Sequence, residues 1–264
     1  MPATRTAAFF DLDKTIIAKS STLAFSKPFQ AGGLISRRAV LRSAYAQFVY
    51  LVGGADHDQM EKMRQFLSSL CAGWDVATVR EIVADTLHNI VDPLVYDEAV
   101  TLIEEHKRAG REVVIVSTSG SEVVEPIGAM LGADRVVATR LVEEDGRYTG
   151  EIAYYAYAEE KANAVRALAA ERGYDLEHCF AYSDSITDVP MLEAVGRPYA
   201  VNPDRELRRI AVAQDWPVLV FTKPVALRSR LPPARPTLAA LAVGGALAAG
   251  GLVWAQARRR RTTA

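Results

Sequence analysis

Short apolar runs alternate with longer amphipathic stretches along most of the chain. The runs are three to five residues long, too short for helices, and predict strands at Thr6–Phe10, Val113–Val116, Val136–Ala138, Cys179–Tyr182, Tyr199–Val201 and Val218–Phe221. Between them, apolar positions at helical spacing predict helices at Tyr96–Ala109, Glu122–Leu131 and Glu159–Arg172, each followed by a glycine (Gly110, Gly132, Gly173) of the kind that ends helices. Strands alternating with helices imply an α/β fold with a doubly wound parallel sheet and crossover helices. Arg140–Ile152, with Asp145-Gly146 at its middle, predicts a β-hairpin with a type I′ turn.

One block breaks this rhythm. Residues 21–92 carry helical spacing (Val40, Leu41, Ala44, Tyr45, Phe48, Val49, then Met63, Phe66, Leu67, Leu70) and little strand signal. A parallel sheet does not need so large an insertion after its first strand. The pattern therefore predicts a core of residues 1–20 and 93–222, with residues 21–92 forming a helical cap over the carboxyl end of the first strand.

Composition adds a charge asymmetry. Apolar residues make up 50% of the 264, enough to bury a core, and the net charge of -1 conceals two regions of opposite sign. Eight of the 31 basic residues follow Asp215, the last acid, so the first 215 residues hold 23 basic groups against all 32 acidic ones. A body this acidic argues against nucleic acid as a partner, because phosphate contacts require clustered Lys and Arg. Cys71 and Cys179 form no CxxC pair and support neither a zinc ribbon nor a disulfide framework. Charge returns at Asp11 after a short apolar stretch, so no secretory leader is expected and the body is placed in the cytoplasm.

The basic end has its own pattern. Residues 223–237 form a Pro/Arg-rich linker. From Leu238 to Ala255 run 18 uncharged residues, about 27 Å of helix and the short end of a membrane span. A C-terminal apolar helix over 238–257, spanning or lying on a membrane, is therefore expected, followed by a basic tail at 258–264. Carrying the four arginines of that tail across a potential of about 100 mV costs roughly 9 kcal/mol, which opposes a simple anchor and leaves an interfacial helix open. Either geometry makes the chain membrane-associated.

The candidate chemistry lies where the predicted strands end. Phe9-Phe10 runs into Asp11-Leu12-Asp13-Lys14-Thr15, two carboxylates whose spacing points both to one side of an extended chain. Val113–Val116 runs into Ser117-Thr118-Ser119-Gly120, hydroxyls and backbone N–H groups able to hold a phosphate. Lys161 stands in the first turn of its helix, where the dipole disfavours a cation, so helix stability does not account for it. Cys179–Tyr182 runs into Ser183-Asp184-Ser185-Ile186-Thr187-Asp188. Singly, each has a plain structural account as a cap or a solvated group. Together, four polar clusters at the carboxyl ends of parallel strands are what the active site of a doubly wound sheet requires.

In this order the four clusters resemble the motifs of haloacid dehalogenase (HAD)-like hydrolases, and most nearly the phosphoserine-phosphatase-like branch, subfamily IB. The resemblance covers roughly residues 5–222. It implies a Mg2+-dependent phosphomonoester hydrolase working through an aspartyl-phosphate. Asp11 would be the nucleophile and Asp13 the proton donor and acceptor. Mg2+ would be held by Asp11, the backbone carbonyl of Asp13 and Asp184, with Asp188 orienting the site from behind. Ser117, Thr118 and Lys161 would hold the substrate phosphate.

The resemblance has a gap. Phosphoserine phosphatases follow the first motif with a glutamate for the substrate ammonium, whereas Ile17-Ala18-Lys19-Ser20-Ser21 holds no acid. Lys19, Lys27, Arg37, Arg38 and Arg42 suit a more anionic substrate or a membrane surface; the resemblance, which extends to relatives fused to lysophosphatidate acyltransferases, implies a small or lipid-like phosphate monoester, and Tyr45, Phe48, Tyr50, Leu51 and Val52 either line an apolar pocket for it or fill the cap core. Three alternatives stand beside this reading: a phosphotransferase using the same intermediate, a phosphoserine phosphatase, and a catalytically silent membrane-tethered interaction protein. His57-Asp58 lacks the further histidines of a histidine-metal phosphohydrolase, and no GxxxxGK[ST] or strand-linked GxGxxG is present.

Overall fold

Every residue of the first strand, Ala7–Phe10 (β1), is buried, and this all-buried run places it at the centre of a sheet covered on both faces. The computed structural model describes residues 5–35 and 68–224. The described residues all belong to one compact unit that ends at Leu227. They build one seven-stranded sheet with β2 at Glu112–Gly120, β3 at Arg135–Glu144, β4 at Arg147–Tyr154, β5 at Phe180–Ser183, β6 at Arg197–Val201 and β7 at Val218–Leu219. The spatial order is β4-β3-β2-β1-β5-β6-β7, with every neighbouring pair parallel except β3 and β4.

Alternation along the strands assigns the two faces. Ala8, Phe10, Val113 and Ile115 share one apolar cluster with Ile103 of α4 (Asp97–Arg108) and Ile127 of α5 (Ser121–Leu131), and α3 (Val76–Val91) joins it through Val83 by packing on α5. Ala7, Phe9, Val114 and Val116 pack the other way, against α6 (Glu159–Arg172), α7 (Val189–Glu193) and α8 (Arg205–Ala213) through Val165, Met191 and Leu207. Two short helices, α1 (Ser21–Ala24) and α2 (Ser26–Ala31), follow β1. With β2 on one side of β1 and β5 on the other, the chain reverses direction across the sheet at β1, and the crevice of a doubly wound fold opens at that strand's carboxyl end.

The predicted elements are present with shifted boundaries, and the shifts have physical causes. The strand predicted at Val136–Ala138 and the first arm of the hairpin are one strand, β3. Residues up to Thr139 pair with β2, and those from Arg140 onward pair with β4. The hairpin turn is as its residues require, with Asp145 at φ 48 and Gly146 at φ 73. β2 continues past Val116 to Gly120 through an irregularity between Ser117 and Gly120. β7 stops two residues before Phe221, because the Asn202 side chain takes over the ladder there: its amide donates to the Phe221 carbonyl at 3.0 Å and its oxygen accepts from the Phe221 N–H at 2.9 Å. Between β1 and β2, the described residues hold helices and no strand. Residues 36–67, with Arg37, Arg38, Arg42, the 45–52 group and His57-Asp58, lie outside the described residues, as do the apolar segment and basic tail. Among the described residues no helix is long and apolar enough to cross a membrane.

Candidate active site

The β1–β5 ladder carries Asp11 to the crevice: its N–H donates to the Tyr182 carbonyl at 2.9 Å, which fixes where the side chain leaves the sheet. Lys161, from the first turn of α6, reaches the same point. Its ammonium donates to Asp11 Oδ1 at 2.7 Å and to Asp188 Oδ2 at 2.7 Å. Ser183 Oγ donates to the same Asp188 oxygen at 2.7 Å. All three charged groups are sealed from water, at 6% exposure for Asp11, 1% for Lys161 and 2% for Asp188. Charges are buried this deeply only when they are paired.

Asp184, at the end of β5, is also buried, and Lys14 approaches its Oδ2 at 3.8 Å from the φ 61 position that follows Asp13. The loop bearing Asp184 is pinned by Asp204, which accepts from the Ile186 N–H at 2.8 Å and donates its own N–H to the Asp184 carbonyl at 2.8 Å. Asp13 is held from both sides, its Oδ1 accepting from the Ser21 N–H at 2.7 Å and its Oδ2 from Ser119 Oγ at 2.8 Å. Ser117 is buried beneath, and its Oγ accepts from the Ser119 N–H at 3.2 Å. The Thr118 hydroxyl is committed elsewhere, donating to the Ala156 carbonyl at 2.9 Å, while its own carbonyl accepts from Thr139 Oγ1 at 2.7 Å.

The balance of charge is the electrostatic fact of the site. Burial raises the Asp11 carboxyl above its ordinary range, Lys161 works against that, and Asp188, Asp184 and Asp13 add to the rise. Burial lowers Lys161, but Asp11 and Asp188 outweigh it and hold the ammonium charged. Asp184 is pushed up to about 6, chiefly by burial, with Lys14 opposing and Asp188 reinforcing. Four carboxyl groups face two ammonium groups, so the site is short of positive charge. One Asp188 oxygen, Oδ1, is buried without a hydrogen-bond partner among the described residues.

A divalent cation fits this donor set. It would supply positive charge, and Asp11, Asp184 and the Asp13 backbone carbonyl are hard oxygen donors of the type Mg2+ prefers. Among the described residues no three His, Cys, Asp or Glu side chains form a metal cage by themselves. The fit is therefore to an ion that keeps waters and takes a ligand from a bound phosphate, as Mg2+ usually does. Four further groups touch this site: Lys14, Ser21, Ser119 and Ser183. All four lie in or beside the motif stretches, but nothing in the residue string separates the serines from their neighbouring hydroxyls or marks Lys14 as facing Asp184.

Comparison with known proteins agrees with this architecture. A protein of Streptomyces azureus named "Inhibition of morphological differentiation protein" is 67% identical over 98% of this chain and 96% of its own length. A Mycobacterium tuberculosis protein named as a probable phosphatase is 62% identical over 98% of this chain and 91% of its own. A solved structure titled as a phospho-aspartyl intermediate analogue of phosphoserine phosphatase shares the fold, with a TM-score of 0.60 at 20% identity over 86% of this chain and 97% of that one. The family model described as haloacid dehalogenase-like hydrolase matches residues 8–193, from the middle of β1 to the end of α7. The chain belongs to the haloacid dehalogenase-like hydrolases.

Proposed function

We propose that this family phosphatase cleaves a small or lipid-like phosphate monoester by way of an aspartyl-phosphate on Asp11. An Asp11 oxygen forms a bond to phosphorus as the bond from phosphorus to the alcohol oxygen breaks, and Asp13 gives its proton to the departing alcohol. Asp13 then takes a proton from the water that attacks the aspartyl-phosphate, which returns Asp11 and releases phosphate. Lys161 and the Ser117 hydroxyl lie against the oxygens on which negative charge gathers. Asp11, the Asp13 carbonyl and Asp184 would hold Mg2+, which when bound neutralises part of that phosphoryl charge.

The observation that carries this reading is the clasp of Lys161 between Asp11 and Asp188, 2.7 Å on each side, at the carboxyl end of the central strand. The buried ammonium offsets part of the repulsion between the Asp11 carboxylate and an approaching phosphate dianion, and the remaining surplus of carboxylates is what a bound cation would offset. The substrate class rests on the stretch after the first motif. Ile17–Ser21 holds no carboxylate for an ammonium group, Ser20 is spent capping α1 by accepting from the Leu23 N–H, and Lys19 and Lys27 are exposed. Residues 21–92 then act as the cap that screens this chemistry from water. The uncharged run at 238–255 between two arginine clusters supports attachment of the chain to an anionic membrane, and equal solubility with and without residues 238–264 on cell fractionation would remove that element.

The enzymatic test is phosphate release from phosphoserine, glycerol phosphate, lysophosphatidate and p-nitrophenyl phosphate with Mg2+. The wild-type protein turns over at least one ester, EDTA stops the reaction and added Mg2+ restores it, and Asp11→Asn is inactive on every ester. Release by Asp11→Asn at the wild-type rate, or by neither protein from any ester, would overturn the reading.

A further inference from the structure

The sequence Ser117-Thr118-Ser119 presents three hydroxyls in a row, and the structure gives each a different task. Register explains the division. Ser117 pairs with Ala138 on β3 and Gly120 with Thr139, so Thr118 and Ser119 are two extra residues on β2 with no partner on β3. The irregularity is fastened by Thr118, whose hydroxyl and carbonyl are both bonded, and by the Ser119 N–H on Ser117 Oγ. Ser119 is thereby turned onto Asp13.

The hydrogen bonds around Ser119 Oγ can be counted to completion. A hydroxyl has one proton and two lone pairs. The proton goes to Asp13 Oδ2 at 2.8 Å. Ser21 Oγ donates into one lone pair at 2.8 Å. Thr22 Oγ1 stands 3.2 Å away and, with the Ser119 proton already committed, is the donor to the other. Ser21 also donates its backbone N–H to the second Asp13 oxygen at 2.7 Å. Ser21 and Ser119 are both buried, so water does not compete for the bond between their hydroxyls.

We infer that Ser119, braced by Ser21, is a positioning residue that fixes the rotation of the Asp13 carboxyl and so controls proton delivery to the leaving alcohol. The inference rests on the aspartyl-phosphate reading above and deepens it. Ser119 touches neither substrate nor metal in this scheme and acts through Asp13. It also ties the proton-transfer group to the first residues of the helical insertion, because Ser21 and Thr22 open the segment that leads into it.

The leaving group makes the inference testable. An alkyl alcohol leaves poorly without a proton, whereas p-nitrophenolate leaves without one, so a misaligned acid harms the first ester far more than the second. With full-length protein and Mg2+, kcat/KM reports the step that forms the aspartyl-phosphate. Ser119→Ala is expected to lower kcat/KM for glycerol phosphate by about 30-fold and for p-nitrophenyl phosphate by less than about 3-fold, a fraction of the usual general-acid contribution. Ser21→Ala, which keeps the backbone N–H, moves the same ratio in the same direction by a smaller factor. In an Asp13→Asn background, Ser119→Ala leaves the ratio unchanged, since the group it positions is gone. Equal losses on both esters in Ser119→Ala, or a further change of the ratio in the double variant, would overturn the inference while leaving the proposed function standing. Where another alkyl ester is turned over in place of glycerol phosphate, the same ratio is read with that ester, and wild-type protein that hydrolyses none of the four esters would overturn both.

Discussion

The two ends of strand β2 use charge in opposite ways. At its amino end, the single carboxylate of Glu112 accepts from Arg5 Nη2 at 2.6 Å, Arg172 Nη2 at 3.0 Å and the Tyr174 hydroxyl at 2.6 Å, with Arg135 Nε a further 3.7 Å away. At its carboxyl end, Ser117 and Ser119 border four carboxylates served by two ammonium groups. Donors exceed acceptor charge at the first end and fall short at the second. The amino end ties the residues just before β1 to β2, β3 and α6, and the carboxyl end keeps an unmet demand for positive charge that a cation can supply. A site poised for chemistry is in this sense the less stable half of the sheet.

The largest effects should come from altering the undersupplied end. Lys161→Met leaves Asp11 and Asp188 buried without their shared cation, and breaking a buried ion pair from one side costs about 3 kcal/mol even if one carboxyl takes up a proton. Activity falls to background in the same variant. Asp11→Asn loses activity as completely, yet it removes a charge that burial and three neighbouring carboxylates oppose, so its melting temperature stays level or rises. Thermal melts of the two variants beside phosphate-release assays check the contrast. An Asp11→Asn protein that melts as far below wild type as Lys161→Met would show that the carboxyl end stabilises the fold just as the amino end does.

Glu112→Gln is the reciprocal change, expected to cost stability by about 1 to 2 kcal/mol and to leave kcat/KM within about twofold. Its pH dependence is distinctive. Burial raises the Glu112 carboxyl, but the hydrogen bonds of Tyr174, Arg172 and Arg5 outweigh it and bring it from the ordinary 4.5 to about 2. A depressed carboxyl stabilises the fold fully above its unfolded value and loses that contribution as protons are taken up. The stability gap between wild type and Glu112→Gln is therefore full above about pH 4.5 and closes as pH falls toward 2. Urea unfolding across that range measures it, and a gap that persists at pH 2 to 3 would mean the residue acts through packing rather than charge.

The same contrast explains what the residue string disclosed. That Asp11, Lys161 and the Ser183–Asp188 stretch come to one edge was legible because each follows an apolar run or opens a helix, whereas the bond from Lys161 to Asp188 in particular was not. The Glu112 cluster was not legible. Its partners lie 107, 60 and 62 residues away in sequence, and each looks like an ordinary solvated group where it stands. Ser119 was hidden for a different reason: which of three adjacent hydroxyls faces Asp13 depends on a β-strand irregularity, and period-two alternation cannot foresee one. The end of β7 depended on a single side chain, Asn202, replacing backbone. Strand order and the position of the crevice follow from general rules of chain packing, whereas these features follow from individual long-range bonds.

The smallest predicted effect tests whether strain contributes to the carboxyl end. Residues 157–160 form a tight turn in which the Glu160 N–H donates to the Tyr157 carbonyl at 3.0 Å, and Ala158 at its second position has φ 49 and ψ -119. This is the type II′ position that glycine ordinarily fills, and an L-residue there carries about 1 to 3 kcal/mol of backbone strain. The turn opens α6 three residues before Lys161, and the Lys161 N–H donates to the Ala158 carbonyl at 3.1 Å. Ala158→Gly relieves the strain but frees the unfolded chain by about 1 kcal/mol, for an expected net gain of about 0.5 to 1 kcal/mol in urea unfolding. Lys161 is gripped by two carboxylates at 2.7 Å each, so its place does not depend on the strained turn, and kcat/KM should stay within about twofold of wild type. A variant more stable but severalfold slower would locate part of the site's alignment in that turn. The excess of carboxylates over cations would then be only one of two ways in which the carboxyl end sacrifices stability for function.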